Sequence, residues 1–286
     1  MLNLFKNIKI NMRAVEISCY VAGGGAFGVF LRWLQDQLAF NDAGLPDKSA
    51  LHVMLPLFIL AAAIVYRRFV KGYAKQGLAL PESFSEAFAN NGKLYAAIRW
   101  AIGVLLFVSG VVLLMTSETD KYAGLLRALS IVTMLCGVAF PVLMTMANRA
   151  DSKPNLNCLL AFFPVLQYAI WLVYCYRANS INPVVWSYVV EVFTVIVTMV
   201  AFFRVAGFPF QNPRTERCLF DVMFAAMLCL LSLADERNMG MQLIFFATFL
   251  VLLYENWVMV CNLRKLEEIK KEAPVKKDTG GFEQLS

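Results

Sequence analysis

Long apolar runs separated by short polar connections recur along the whole chain. Eight of them, at 15–38, 51–69, 95–115, 122–147, 157–176, 184–206, 217–233 and 240–263, approach the roughly 20 residues that a helix needs to cross a hydrocarbon core about 30 Å thick. Runs such as "LIFFATFLVLLY" are apolar on every side, whereas the strands of a membrane barrel alternate in polarity over about 10 residues. A backbone in lipid must satisfy its own hydrogen bonds, so the pattern predicts an all-α, polytopic transmembrane helix bundle of eight spans. Residues 1–266 are expected to form that bundle, and 267–286 a charged, flexible cytoplasmic tail.

Within the runs, small and polar residues fall at helical spacing. Tyr20, Gly24, Gly28, Arg32 and Asp36 lie four apart, which puts Gly24 and Gly28 on a smooth ridge beside a cation. Such a ridge lets two backbones approach, and it predicts a helix contact that also presents Arg32 to a polar partner; the alternative is that Arg32 snorkels to the interface. Arg99, Gly103 and Gly110 repeat the device in the third run, and Arg127 stands above Ser130, Met134, Gly137 and Pro141 in the fourth. Pro56, Pro141 and Pro164 lie inside runs, where each frees a backbone carbonyl and favours a bend.

The sixth run carries the most telling polar stripe. Asn182 and Pro183 supply a helix start, and Ser187, Glu191, Thr194 and Thr198 then follow at steps of four, three and four. Counted from that start, Glu191 lies about 13 Å deep, near the bilayer centre, where a carboxylate must be protonated, paired or wetted by a cavity. Glu255 falls about 12 Å, and Asp221 about 6 Å, from the inner boundary. Together the three acids predict a descending route for a proton or cation, with Arg32, Arg99 and Arg127 as candidate partner cations. Pairing of Asp221 with Arg217, or of Glu255 with Arg99, is the plainer alternative.

Composition agrees with the membrane reading: 59% of residues are hydrophobic, 13% aromatic and only 16% charged. Charge then orients the bundle. Cations crowd one set of connections, including Arg13, Arg67, Arg68, Lys71, Arg149, Arg204, Arg214, Arg217 and Lys265. The opposite connections are acidic, with Asp36, Asp42, Asp47, Glu118, Asp120, Asp235 and Glu236 against Lys48, Lys121, Arg177 and Arg237. Both termini are therefore expected in the cytoplasm. The net charge of +6 follows from this asymmetry and implies no nucleic-acid partner. The first run has the basic start and small residues of a secretion signal, yet it continues well past its glycines and is read as a retained span.

The chemistry implied by known motifs is sparse. The seven cysteines form no Cys-x-x-Cys pair, and a single histidine, His52, excludes a histidine cluster, so neither metal nor cofactor is expected. Gly-x-Ser-x-Gly, His-Glu-x-x-His and Gly-Lys-Ser/Thr motifs are missing, which leans away from an enzyme. "LPESFSEAFANNGKLY" is expected to lay Phe84 and Phe88 on the inner leaflet as a short amphipathic turn. The two halves of the chain share no repeat, which weakens an inverted-repeat transporter reading.

The stretch "GGGAFGVFLRWLQ", the acidic "FNDAGLPDKSA" and the Ala-rich second run ending "YRRF" resemble a group of uncharacterised multi-pass membrane proteins of anaerobic Gram-positive bacteria. The resemblance covers about the first 70 residues and implies a bacterial cytoplasmic membrane, without importing an activity. Besides the lipid bilayer, the expected partners are a small solute or a proton or cation, and membrane proteins or further copies of the chain. The polar stripe favours a small-solute or ion-coupled permease with a buried acidic site. The alternative is a non-transport scaffold, sensor or accessory subunit, and a lipid-modifying enzyme stands third. Fusion of a reporter active only outside the cytoplasm to the carboxy terminus should give no signal, while the same reporter after Glu118 should be active; the reverse result overturns the orientation.

Overall fold

A computed structural model of the chain describes residues 11–40, 49–149, 154–180 and 184–265. The acidic loop around Asp42 and Asp47, the helix start expected at Asn182 and Pro183, and the tail from 267 onward lie outside these residues. Among the described residues are nine α-helices: α1 (Met12–Leu38), α2 (Leu51–Lys75), α3 (Phe84–Phe88), α4 (Lys93–Thr116), α5 (Ala123–Met146), α6 (Pro154–Asn179), α7 (Val189–Ala206), α8 (Thr215–Leu231) and α9 (Met239–Cys261). All but α3 are long and apolar enough to cross a membrane, eight spans in all, as the hydrophobic pattern predicts. The protein is an all-α integral membrane bundle.

The helices are not stacked at random. Each of α4 to α8 packs on its neighbour in sequence, and α9 packs on both α8 and α4, which closes a ring of six helices. The α1–α2 hairpin lies outside the ring, with α1 against α8 and α9, and α2 against α1 and α8. Burial follows from this plan: 72% of the apolar window of α9 and 67% of that of α8 are buried, against 17% in α2, which presents most of its surface to lipid.

Small residues set the closest contacts, because lipid competes for ordinary apolar packing and close backbone approach is what remains to be gained. A Cβ on Gly137 of α5 would lie 2.6 Å from the Phe107 amide nitrogen and 2.8 Å from the Gly103 carbonyl oxygen of α4. One on Gly110 would lie 2.9 Å from the Ser130 carbonyl oxygen, and one on Gly240 of α9 only 2.5 Å from Leu113 Cα. The two small-residue faces expected on the third and fourth runs therefore dock on each other. The first-run ridge is also a contact, with its register shifted: Gly25 and Gly28 meet Leu230 and Leu231 of α8, while Gly24 meets the Tyr66 hydroxyl of α2.

Two elements differ from expectation. The turn containing Phe84 and Phe88 does not lie on a leaflet surface; a capping box between Ser83 and Glu86 starts α3, which buries Phe84, Ala87 and Phe88 beneath the bundle. Phe88 meets Phe208 edge-on at 5.3 Å, and Asn262 Nδ2 donates to the Ala87 and Ala89 carbonyls at 2.9 and 3.1 Å. A two-residue antiparallel pairing of Leu78–Ala79 with Arg264–Lys265 adds to this closure. The helix expected from 184 begins instead at Val189, after a 3-10 turn over Val185–Ser187.

Replacing Gly137 with leucine should force α4 and α5 apart and lower stability by about 1–3 kcal/mol. Gly23, with nothing within 4 Å of its added Cβ, should accept leucine without loss. Thermal unfolding of both variants in the same detergent checks the difference.

Candidate functional site

The helix ends at the acidic face of the bundle bring together residues far apart in sequence. Arg32 of α1 is only 2% exposed, and its Nε donates to Asp235 Oδ1 at 2.6 Å from a residue 203 positions away. Its remaining nitrogens donate to Gln35 Oε1 at 2.8 Å and to the Trp186 carbonyl at 3.1 Å. Arg237 pairs with the other oxygen of Asp235, donates to the Ser232 carbonyl at 2.6 Å, and places its Nε 3.2 Å from Glu191 Oε2. Trp171 Nε1 donates to Glu191 Oε1 at 2.9 Å. Two arginines thus face two carboxylates in a buried, neutral quartet that joins α1, α6, α7 and the α8–α9 connection.

Aromatic residues close around it. Phe245 lies 4.4 Å from the Trp171 ring and carries the Arg237 guanidinium 5.2 Å from its centroid. Gln35 Nε2 and His52 Nδ1 are 2.9 Å apart, His52 Nε2 lies 3.1 Å from the Ala39 carbonyl oxygen, and the His52 ring lies 5.1 Å from Trp186. The snorkelling alternative for Arg32 does not hold, since every nitrogen of its head is engaged inside the protein.

The depth of Glu191 needs correction. It is the third residue of α7, about 3 Å past the helix start, and so belongs to the acidic end of the bundle rather than its centre. Thr194 and Thr198 run inward from it, but they form a seam with α8: Thr194 Oγ1 lies 2.8 Å from Ser232 Oγ, and Thr198 Oγ1 3.3 Å from Cys229 Sγ. Short polar side chains bonded across a helix pair look like a cavity lining in sequence, because both place one polar stripe on one face. Ser187 lies in the 3-10 turn ahead of α7.

The other acids separate. Asp221 pairs with Arg204 Nε at 3.3 Å rather than with Arg217, although Arg217 and Arg67 add attraction. Arg127 is exposed and reaches only Glu118, at 3.9 Å, so it partners no buried acid. Arg99 turns to the Met144 carbonyl, at 3.3 Å, and to the Tyr254 hydroxyl, bracing α4 against α5 and α9.

Glu255 is the acid that faces the ring axis. It is 2% exposed and borders a cavity of about 20 Å³, the size of one water molecule, together with Gln167, Pro164, Thr248, Phe140 and Phe202. Glu255 Oε2 and Gln167 Nε2 have no hydrogen-bond partner among the described residues. On the acidic side of the cavity, the Tyr168 hydroxyl donates to Thr248 Oγ1 at 2.7 Å, and Tyr168 stacks on Trp171 at 5.6 Å. On the cation-rich side, a polar recess of about 450 Å³ borders Ser83, Asn148, Arg149, Asn157 and Gln211, and the buried Asn157 Oδ1 also lacks a partner among the described residues. Asn157, Ala161, Gln167, Tyr168 and Trp171 all belong to the buried face of α6, which therefore carries polar groups from one end of the ring to the other.

Asp235 and Arg237 stand in the sequence only as charges of a connection, whereas Gln167 and Trp171 belong to the amphipathic aromatic surface that follows Pro164. The available signal was an Asp-Glu-Arg triplet in a connection too short to leave the bundle end. No group of three metal-ligating side chains occurs among the described residues. Compared with protein-family models, curated proteins and solved structures, the chain matches none, so the likeness noted for its first 70 residues gains no support from them.

Changing Asp235 to asparagine leaves two arginines facing one carboxylate in a buried site and should cost about 3–5 kcal/mol. Removing Arg32 as well, as methionine, should restore at least half of the loss. A double-mutant cycle in thermal stability measures that coupling.

Proposed function

We propose that the protein is a proton-coupled permease for a small solute, with Glu255 as its titrating carboxyl and the six-helix ring as its route. The observation that carries this reading is a pair of buried atoms without a hydrogen-bond partner among the described residues, Glu255 Oε2 and Gln167 Nε2, on two side chains that border one small cavity. Buried polar atoms normally find partners, and a pair left open toward a shared space at membrane depth has the chemistry of a proton site. A carboxyl group can take up and release a proton there; the amide beside it can orient a water molecule or a solute.

The rest of α6 supports the same route. Its polar face leads from the recess at Asn157, past Gln167, to the Tyr168–Thr248 bond and then to Trp171. Pro164, inside α6, borders the cavity itself. In this reading Glu191 serves as the closed gate: Arg237 and Trp171 occupy its two oxygens at the acidic end. Opening would exchange those bonds for a solute or for water, while the polar recess at the other end stays the inner opening. Asp221, paired with Arg204, serves the helix contact rather than the route.

The scaffold reading draws on a specific observation too, since the quartet and the backbone-level contacts of Gly137 and Gly240 brace the bundle as a rigid body. The two readings part on proton movement. Vesicles loaded with a fluorescent pH indicator, driven by a potassium diffusion potential and given an external mixture of amino acids, sugars and organic acids, should acidify faster with the reconstituted protein than without it. Glu255→Gln should cut that excess rate by tenfold or more while leaving folding intact. No excess over protein-free vesicles, or an undiminished rate in Glu255→Gln, overturns the permease in favour of the scaffold.

A further inference from the structure

The outer wall of the ring carries a second feature, independent of the axis. Where α6 and α7 approach the cation-rich end, a groove of about 520 Å³ opens toward the surface. Its walls are apolar, formed by Phe162 and Val165 of α6 and by Phe203 and Phe210, and three of these rings are 48%, 63% and 57% exposed. Arg204, Arg214 and Asn212 border the same groove, and the residues that border it include no carboxylate.

Two arginines stand beside the otherwise apolar wall near the helix ends. Arg204 lies two residues before the end of α7, and Arg214 caps the start of α8, so both sit at the level of the helix ends. Phe162 lies eight residues into α6, one turn past Cys158, whose Sγ donates to the Pro209 carbonyl at 3.3 Å, so the aromatic wall runs alongside the arginines. The groove therefore joins two arginines near the helix ends to an exposed aromatic wall. Asp221 offsets Arg204 only through Nε, and Arg214 is exposed and makes no ion pair among the described residues. A soluble anion would satisfy the arginines and leave the phenylalanine wall uncovered. An acyl chain alone would do the reverse.

We infer that this groove is a binding site for one anionic phospholipid of the inner leaflet, its phosphate held by Arg214 and Arg204 and one acyl chain lying along Phe162, Val165 and Phe203. The charge of the arginines and the exposed apolar rings beside them match a headgroup and a chain. Zwitterionic lipids carry the same phosphate but add a cation that the two arginines repel, so the site discriminates between headgroups. The site lies outside the ring and stands whether or not the axis conducts protons.

Native mass spectrometry of the purified full chain, incubated in detergent with phosphatidylglycerol or with phosphatidylcholine of the same acyl chains, tests the assignment. One phosphatidylglycerol should be retained with several-fold preference. Arg214→Gln, a surface change, should reduce that preference to near unity without altering the circular dichroism or the lipid-free melting temperature. Val165→Trp, which fills the groove and leaves both arginines in place, should abolish retention. Equal retention of both lipids, retention unaffected by either variant, or displacement of the lipid by millimolar inorganic phosphate overturns the proposal. Should both variants unfold, retention by Phe210→Ala, expected to fall several-fold, decides in their place.

Discussion

Everything at the acidic end depends on the charge balance among Arg32, Asp235, Arg237 and Glu191. Taking any one of these groups out of water alone is costly, and a low-dielectric surrounding repays that cost only when the opposite charges and the remaining hydrogen-bonding positions are all supplied. Here they are: the two carboxylates between them receive both arginines and the Trp171 indole, and spare guanidinium nitrogens find the Trp186 and Ser232 carbonyls. The same bonds hold the outlying α1 to the ring, so architecture and electrostatics cannot be varied separately. A helix hairpin attached by apolar contact alone would slide; one attached through Arg32 has a register.

Deeper in the bundle the constraint changes from charge to steric approach. Glycines at 103, 110, 137 and 240 bring α4 into backbone contact with α5 on one side and with α9 on the other. Where helices come that close, side chains are excluded from between them and displaced toward the ring interior or toward lipid. The opposite side of the ring is held differently, by Thr194–Ser232 and Thr198–Cys229 bonds between α7 and α8. Between these two walls the large rings of Phe140, Tyr168, Trp171, Phe202 and Phe245 fill the axis, and the small space beside Glu255 is what their shapes leave.

Local pattern carried much of this and long-range pairing carried the rest. Span number and type follow from apolar run length, and the docking faces of α4 and α5 follow from glycine spacing, because each depends on residues within a few turns of one helix. Arg32 was recognisable as a residue in need of a partner, but Asp235 lies 203 residues away, and no spacing rule links them. Glu191 was placed too deep because a helix start was read at Asn182 and Pro183, whereas a 3-10 turn delays the helix to Val189. Glu255 is legible as a buried acid and Gln167 as part of the polar surface after Pro164; their meeting is not, since the facing of α6 and α9 across the ring is a property of closure.

That closure has a consequence for how the chain is made. Ribosomal synthesis delivers α1, α6 and α7 to the bilayer before the connection that bears Asp235 and Arg237, and α9, the helix that completes the ring, comes last of the eight. Until then Arg32 and Glu191 sit in spans whose counter-charges have not been translated, and Leu113 lacks the glycine it will meet. The α4–α5 contact needs no later residue, whereas Arg32 and Glu191 gain their counter-charges, and the ring its closure, only when the final hairpin arrives. Assembly is post-insertional by construction, with the last 50 or so described residues acting as the keystone that converts a set of tolerated helices into one structure.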